Sequence, residues 1–226
     1  NCTYNLDGWP QKMPGATRVN TTTTGAADAV MGIFDYWRQG TTNAQVQKRL
    51  IYAGDEIFKD DADGIWDSLL AGLQTGLMPW CAYMNDEAVL ASTSNVDVPQ
   101  AYDQSSIANL GGTPPNFAFH AEHKDRMFAA GVWAQPSRLY YSALGNHEDW
   151  TGAGSGSIDF FSDDGDRITA LHSTREELLV FKGPNHGSIY RLLGSSPTGA
   201  FAFAVIPFVR GVGCTGRLRI NWAWRS

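Results

Sequence analysis

The chain has 226 residues, 43% of them hydrophobic and 18% charged, with a net charge of −6. Eight Trp, eight Tyr and eleven Phe supply a sizeable core, which excludes a disordered polar chain. The acidic balance and the lack of an Arg-rich patch argue against a nucleic-acid groove. No apolar run reaches the roughly 18 residues of a membrane helix, so no membrane insertion is expected.

Residues 1–30 read as an extended, irregular N-terminal arm, punctuated by Pro10, Pro14 and Gly15 and by a Thr run. The remainder reads as short strands separated by Asp, Asn and Gly turns. MGIFDYW (31–37) precedes RLIYAGDEIF (49–58). MPWCAYM (78–84) precedes AVLAS (88–92), and NFAFHAE (116–122) precedes RMFAAG (126–131). SIDFF (157–161) precedes the turn SDDGD and then RITAL (167–171). The second strands start near Arg49, Ala88, Arg126 and Arg167, at intervals of about 39, 38 and 41 residues. A hairpin recurring every 40 or so residues is the mark of β-propeller blades, whose apolar faces are hidden only by stacking on neighbours. The pattern predicts hairpins at 31–53, 78–92, 116–131 and 157–171, with Leu50, Ala88, Met127 and Ile168 at equivalent positions.

Outer strands are expected at PSRLYYSAL (136–144), ELLVFKG (177–183) and SIYRLLG (188–194). Along LLVFKG, Leu179 and Phe181 share one face and Leu178, Val180 and Lys182 the other. Both faces are mostly apolar, as a sheet between two other sheets requires. GIWDSLLAGLQTG (64–76) fits two readings: a short helix, from Ile65, Leu69 and Leu73 at helical spacing, or an outer strand plus loop.

The chemistry-bearing residues form no recognisable site. His120 and His123 lie three apart on a strand and point to opposite faces, so they are read as surface histidines flanking a turn rather than a metal pair. DDADG (60–64) and SDDGD (162–166) lack the ligand spacing of an EF-hand loop and read as turns. SDDGDRIT approaches the Asp-box of sialidases, but Gly165 comes one place early and the Trp is missing. GAGSGS (152–157) lacks the strand–helix context of a phosphate loop and reads as a flexible loop. Cys2, Cys81 and Cys214 are widely separated, with no metal-ligand spacing, and are expected to be unpaired. Cys81 is placed on an inner strand of the second blade.

Several runs resemble a known family: RLIYAGDEIFKDDADGIW, HKDRMFAAGVWAQPSRLYYSALGNHEDW (123–150), and DGDRITAL, LLVFKG and SIYRLLG in that order, followed by VRGVGC. Over roughly residues 45–214 the chain is similar to bacteriophage virion proteins with a β-propeller, namely the nozzle, or tail tubular, proteins of short-tailed phages and related tail-hub proteins. The resemblance implies a structural body that joins tail components, with no catalytic residues to carry over. It also implies that Arg126, Arg138 and Arg167 are edge or hairpin charges, and that Trp133 and Trp150 are blade-packing or interface aromatics, of which core packing is the reading taken here. The family continues into further blades, whereas twelve residues follow Cys214 here. Closure of the ring is therefore left open.

The reading is an all-β chain: an N-terminal arm over 1–30, then a β-propeller domain over 31–226 with four recognisable blades and C-terminal truncation as one interpretation. The expected function is that of a phage structural protein in the virion tail or neck, assembled in the host bacterial cytoplasm. It would form a ring of copies that connects to neighbouring tail or neck proteins and has passive contact with genomic DNA along a channel. No enzyme activity is expected, and no catalytic, cofactor or metal residue is assigned. The rival is a carbohydrate-binding or glycoside-hydrolysing propeller, which needs carboxylates or exposed aromatics converging at one end of the disk; Asp149 with Trp150 is the nearest candidate. Asn221, Trp222 and Trp224 add terminal residues expected to need cover.

Overall fold

The computed structural model describes residues 2–4, 10–12, 29–39, 45–61, 65–94, 96–161 and 163–213. Two short strands, β1 (Cys2–Tyr4) and β2 (Pro10–Lys12), pair as an antiparallel ribbon in the N-terminal stretch. Four four-stranded antiparallel meanders follow, the blades of a β-propeller. Blade I holds β3 (Val30–Gln39), β4 (Gln45–Ala53), β5 (Glu56–Asp60) and β6 (Trp66–Leu70). Blade II holds β7 (Pro79–Met84), β8 (Glu87–Ser92), β9 (Gln100–Tyr102) and β10 (Ile107–Asn109). Blade III holds β11 (Phe119–His123), β12 (Arg126–Ala130), β13 (Arg138–Tyr141) and β14 (Gly156–Asp159). Blade IV holds β15 (Arg167–Ser173), β16 (Leu178–Gly183), β17 (Ser188–Leu193) and β18 (Ala204–Arg210).

The first strand of each blade is the inner one: β3 packs on β7, β7 on β11, and β11 on β15. No packing of that extent joins β15 back to β3 among the described residues. The hairpins β7/β8 and β11/β12 turn through two residues each, Asn85-Asp86 and Lys124-Asp125, all with φ between 50° and 59°. These left-handed pairs match the right-handed twist of the strands they join.

Each blade hides an apolar face against the next. Tyr36 and Leu50 of blade I meet Ala88, Leu90 and Tyr102 of blade II. Val89 and Ala91, on the other face of β8, meet Met127, Ala129 and Trp150 of blade III. The largest cluster lies between blades III and IV and includes Phe128, Leu139, Phe160, Ile168, Leu178, Val180 and Tyr190. Each large apolar side chain so buried contributes about 1.5–3 kcal/mol relative to exposure.

Two expectations change, and one open choice is decided. Residues 157–161 and 167–171 do not pair as a hairpin: β14 closes blade III against β13, and β15 opens blade IV. Residues 163–166 therefore belong to a link between blades. Composition cannot separate such a link from a hairpin turn, because both need the same Asp and Gly conformers. The four supposed equivalents also divide. Ala88 and Met127 each lie second after a two-residue turn and face the preceding blade, whereas Leu50 faces the following blade and Ile168 sits on an inner strand. Over 65–76 the outer strand plus loop is what forms, and among the described residues the chain has no helix. Residues 62–64 and 214–226, including Trp222 and Trp224, lie outside the described residues.

Candidate functional site

A cleft of about 300 Å³ lies at the end of the disk where the inner strands of blades III and IV begin. Phe119 and Ile168, at the starts of β11 and β15, form its floor with Ala118 and Gly131. Val132, Trp133 and Pro136, from the β12–β13 turn, make one wall. Arg167 and Thr169 of β15 make the other, and Thr93, after β8, reaches in from blade II. Gly131 has φ +81°, and a Cβ there would stand 2.8 Å from the Phe119 ring, so glycine is needed for β12 to leave the blade above this floor.

The walls are fixed from below. The Ile168 N–H donates to Pro136 O at 2.8 Å, the Ser137 hydroxyl donates to Asp166 O at 2.7 Å, and the Phe160 N–H donates to Ser137 O at 2.9 Å. The turn carrying Trp133 is closed by a bridge between Val132 and Gln135. Trp133 is 80% exposed on this mount, against the expectation that it packs in the core. A two-residue excursion leaves its ring no sheet to lie on. Trp150 does pack, at 8% exposure, between blades II and III.

The link between blades III and IV is the most charged part of the interior. Lys182 is completely buried, and its Nζ donates to Phe160 O at 2.6 Å, to Phe161 O at 2.8 Å and to both carboxylate oxygens of Asp164 at 2.7 Å. Asp166 accepts the backbone N–H groups of Asn185, His186 and Gly187 at 2.7–3.0 Å. Burial raises its proton affinity, but these three donors outweigh burial and hold the carboxyl below its ordinary range. The acidic cluster at 163–166 thus neutralises a buried cation and caps the β16–β17 turn.

The histidines are placed as the strand period demands but not on the surface. His120 points to blade II, where its Nε2 meets Val89 O at 2.9 Å, and His123 points to blade IV, where its Nδ1 meets Ser173 Oγ at 3.0 Å. Both are buried because blades cover both faces of β11. Burial pushes His120 down to about 4 and lowers His123 as well, with Lys124 adding to the latter. Arg126 is likewise buried rather than an edge charge. Its guanidinium donates to Ser142 O, Gly154 O and Ser195 O and lies over the rings of Tyr141 and Phe203. Gly154 of the glycine-rich run is thereby tied down. Arg138 stands at the start of β13, an interior strand, in a two-point ion pair with Asp159 of the edge strand β14, and Arg167 is exposed at the cleft.

No family model matches the sequence, and no curated protein matches it. Among solved structures, the chain is similar to the N-terminal domain of Nup159, at TM-score 0.49 and 9% identity over 71% of this chain and 45% of that one. It is also similar to BBS1N in complex with ARL6DN, at TM-score 0.40 and 10% identity over 88% of this chain and 62% of that one. The chain therefore spans less than two thirds of either structure. Likenesses of this size carry no statement about activity.

Sequence reasoning missed Lys182 as a buried cation, Asp166 as a cap, and His147, whose Nε2 meets Glu87 Oε2 at 2.9 Å across blades II and III. The one local signal was Lys182 sharing a face with Leu178 and Val180. Asp149 accepts the N–H groups of Thr151 and Gly152 in a tight turn, with Trp150 turned inward, so the two do not form a sugar platform. Asp61 bridges Lys48 and Lys59. Among the described residues no group of three or more His, Cys, Asp or Glu side chains is placed to hold a metal ion. Cys81, on the inner strand β7, carries a free thiol that burial pushes up to about 12. The Cys2 side chain and Cys214 lie outside the described residues.

Proposed function

We propose that this chain is a non-enzymatic structural protein of a bacteriophage virion, a nozzle- or hub-like component of the tail or neck that works as a ring of copies. Most of the runs that resemble phage nozzle proteins build blades III and IV and the lock between them, the first lying in blade I, which supports a body made for rigidity. Arg126, Lys124 and Lys182, all within those runs, hold one blade to the next through backbone carbonyls.

The observation that carries assembly is the second face of blade IV. Ala170, Phe181 and Ile189 lie side by side across β15, β16 and β17 and are only half-buried. Next to them Ile206 is 40% and Phe208 55% exposed on β18. A sheet face of this kind is buried against a partner in working proteins. The partner in this proposal is another copy, in a head-to-tail contact that closes into a ring. Neighbouring tail proteins would bind the rims, and the acidic balance suits a conduit that does not trap DNA phosphates.

Light scattering of the purified chain at micromolar concentration tests the proposal. It expects a discrete oligomer, broken to monomer by Phe208→Asp or Ile206→Asp. A stable parent monomer that has no affinity for virion proteins would overturn it.

A further inference from the structure

We infer that the cleft between Trp133 and Arg167 binds an acidic sugar, a pyranose carrying a carboxylate, without hydrolysing it. The inference does not depend on the virion reading. Three features of the cleft select this ligand.

The first is an unsatisfied cation. Arg167 is exposed, and its guanidinium makes no hydrogen bond or ion pair among the described residues, whereas Arg49, Arg126, Arg138 and Arg191 are all engaged. Its neighbour Asp166 is no substitute partner, because both of its oxygens are taken by Asn185, His186 and Gly187. A planar guanidinium at a cleft mouth fits a carboxylate in two-point fashion.

The second is the exposed indole of Trp133 on a two-residue turn closed by the Val132–Gln135 bridge. A rigidly mounted aromatic face that is left in water loses little entropy on binding. The C–H face of a pyranose is the apolar surface that stacks on such a ring while its hydroxyls stay wet. The Thr93 hydroxyl, exposed across the cleft, offers a polar contact to those hydroxyls.

The third is position. The cleft lies over the ends of β11, β12 and β15, not along a strand edge, so it offers no ladder of backbone groups to an extended peptide. One cation also makes no track for a nucleic-acid backbone. The volume of about 300 Å³ is at the lower limit of small-ligand sites and suits a compact ring. Glycoside hydrolysis is a different matter, since it needs two carboxyl groups flanking the bond. No Asp or Glu lines this cleft. Among the described residues the one carboxylate in the adjoining groove is Asp166, which is committed to backbone amides.

The test is titration of the full chain with oligogalacturonate and with oligomeric sialic acid, by calorimetry and saturation-transfer NMR at low and at physiological salt. Neutral cello-oligosaccharide, an acidic peptide and oligo-dT serve as competitor classes. The inference expects saturable binding of at least one acidic glycan, at least tenfold tighter than the neutral oligosaccharide. Trp133→Ala and Arg167→Gln should each weaken it at least tenfold with the thermal transition unchanged, since both side chains are exposed. Arg175→Gln should have no effect. That residue is an exposed cation beyond the far end of β15, about 20 Å away at the rise of a strand. Failure of both acidic glycans to bind, binding insensitive to Trp133→Ala and Arg167→Gln, or tighter binding of the peptide or oligo-dT would each overturn it. Release of reducing ends would overturn the statement that the site does not hydrolyse.

Discussion

Replacing Lys182 by Met removes the fully buried cation at the junction of blades III and IV while keeping most of the length of the side chain. Nζ has four acceptors within 2.8 Å: Phe160 O, Phe161 O and both oxygens of Asp164. Lys182 is fully buried, so the loss cannot be made good by water at its own position. Breaking a buried pair by deleting one partner costs about 3–5 kcal/mol. The Asp164 side chain is 27% exposed and can recover part of its hydration, which places the cost near the bottom of that range, at about 3 kcal/mol. For a chain of this size that is a fall in Tm of about 6–12 °C, or about 1 M in urea midpoint if the slope is about 3 kcal/mol/M. Adding Asp164→Asn to Lys182→Met removes the stranded carboxylate and should restore about half of the loss. Urea unfolding followed by Trp fluorescence, on both variants and the parent, measures this. A Lys182→Met midpoint within 0.2 M of the parent would refute the reasoning, because it would mean that the cation is either hydrated or not needed by its four acceptors.

The buried His120 makes stability depend on pH. Its pKa is about 4 in the folded chain against about 6.5 unfolded, so between these values the unfolded state binds more protons and stability falls as pH drops from 6.5 to 4. The full effect is about 3 kcal/mol, and His120→Gln should flatten this part of the urea-midpoint profile; an unchanged slope would remove His120 as its source. Cys81 should resist iodoacetamide at pH 8 in the folded protein and react in urea, as read by peptide mass spectrometry, since burial keeps its thiol protonated; rapid labelling of the native chain at Cys81 would contradict the packing of β7. Gly112→Ala should be among the most damaging single changes, by more than about 3 kcal/mol, because φ is +72° and the added Cβ would stand 1.5 Å from Glu148 O. A Tm within about 3 °C of the parent would show that the loop after β10 is not held against Glu148.

Much of the fold is legible in the residues because blades are local objects. The hairpins β7/β8 and β11/β12 follow from alternating apolar runs around Asn85-Asp86 and Lys124-Asp125, and period-two patterning places Lys182 on one face with Leu178 and Val180. The misreading at 157–171 has a physical origin. A link between blades and a hairpin turn share their dihedrals and their residues, and they differ only in what lies beyond, here the amides of 185–187 that Asp166 caps. The buried state of His120, His123 and Arg126 was equally hidden, because polar residues on a strand look solvent-facing until a second blade is known to cover that face. The cleft could not be read at all. Thr93, Trp133 and Arg167 come from three blades, and only stacking brings them together.

In its proposed role this propeller works inside a phage particle as one ring of copies. The most direct measurement is immunogold electron microscopy, with antibody against this chain, of intact particles purified from the source, combined with mass spectrometry of the same particles. The proposed role requires peptides of this chain in the particles and label confined to the tail or neck. Particles that contain no such peptides, or label spread evenly over the capsid surface, would contradict it.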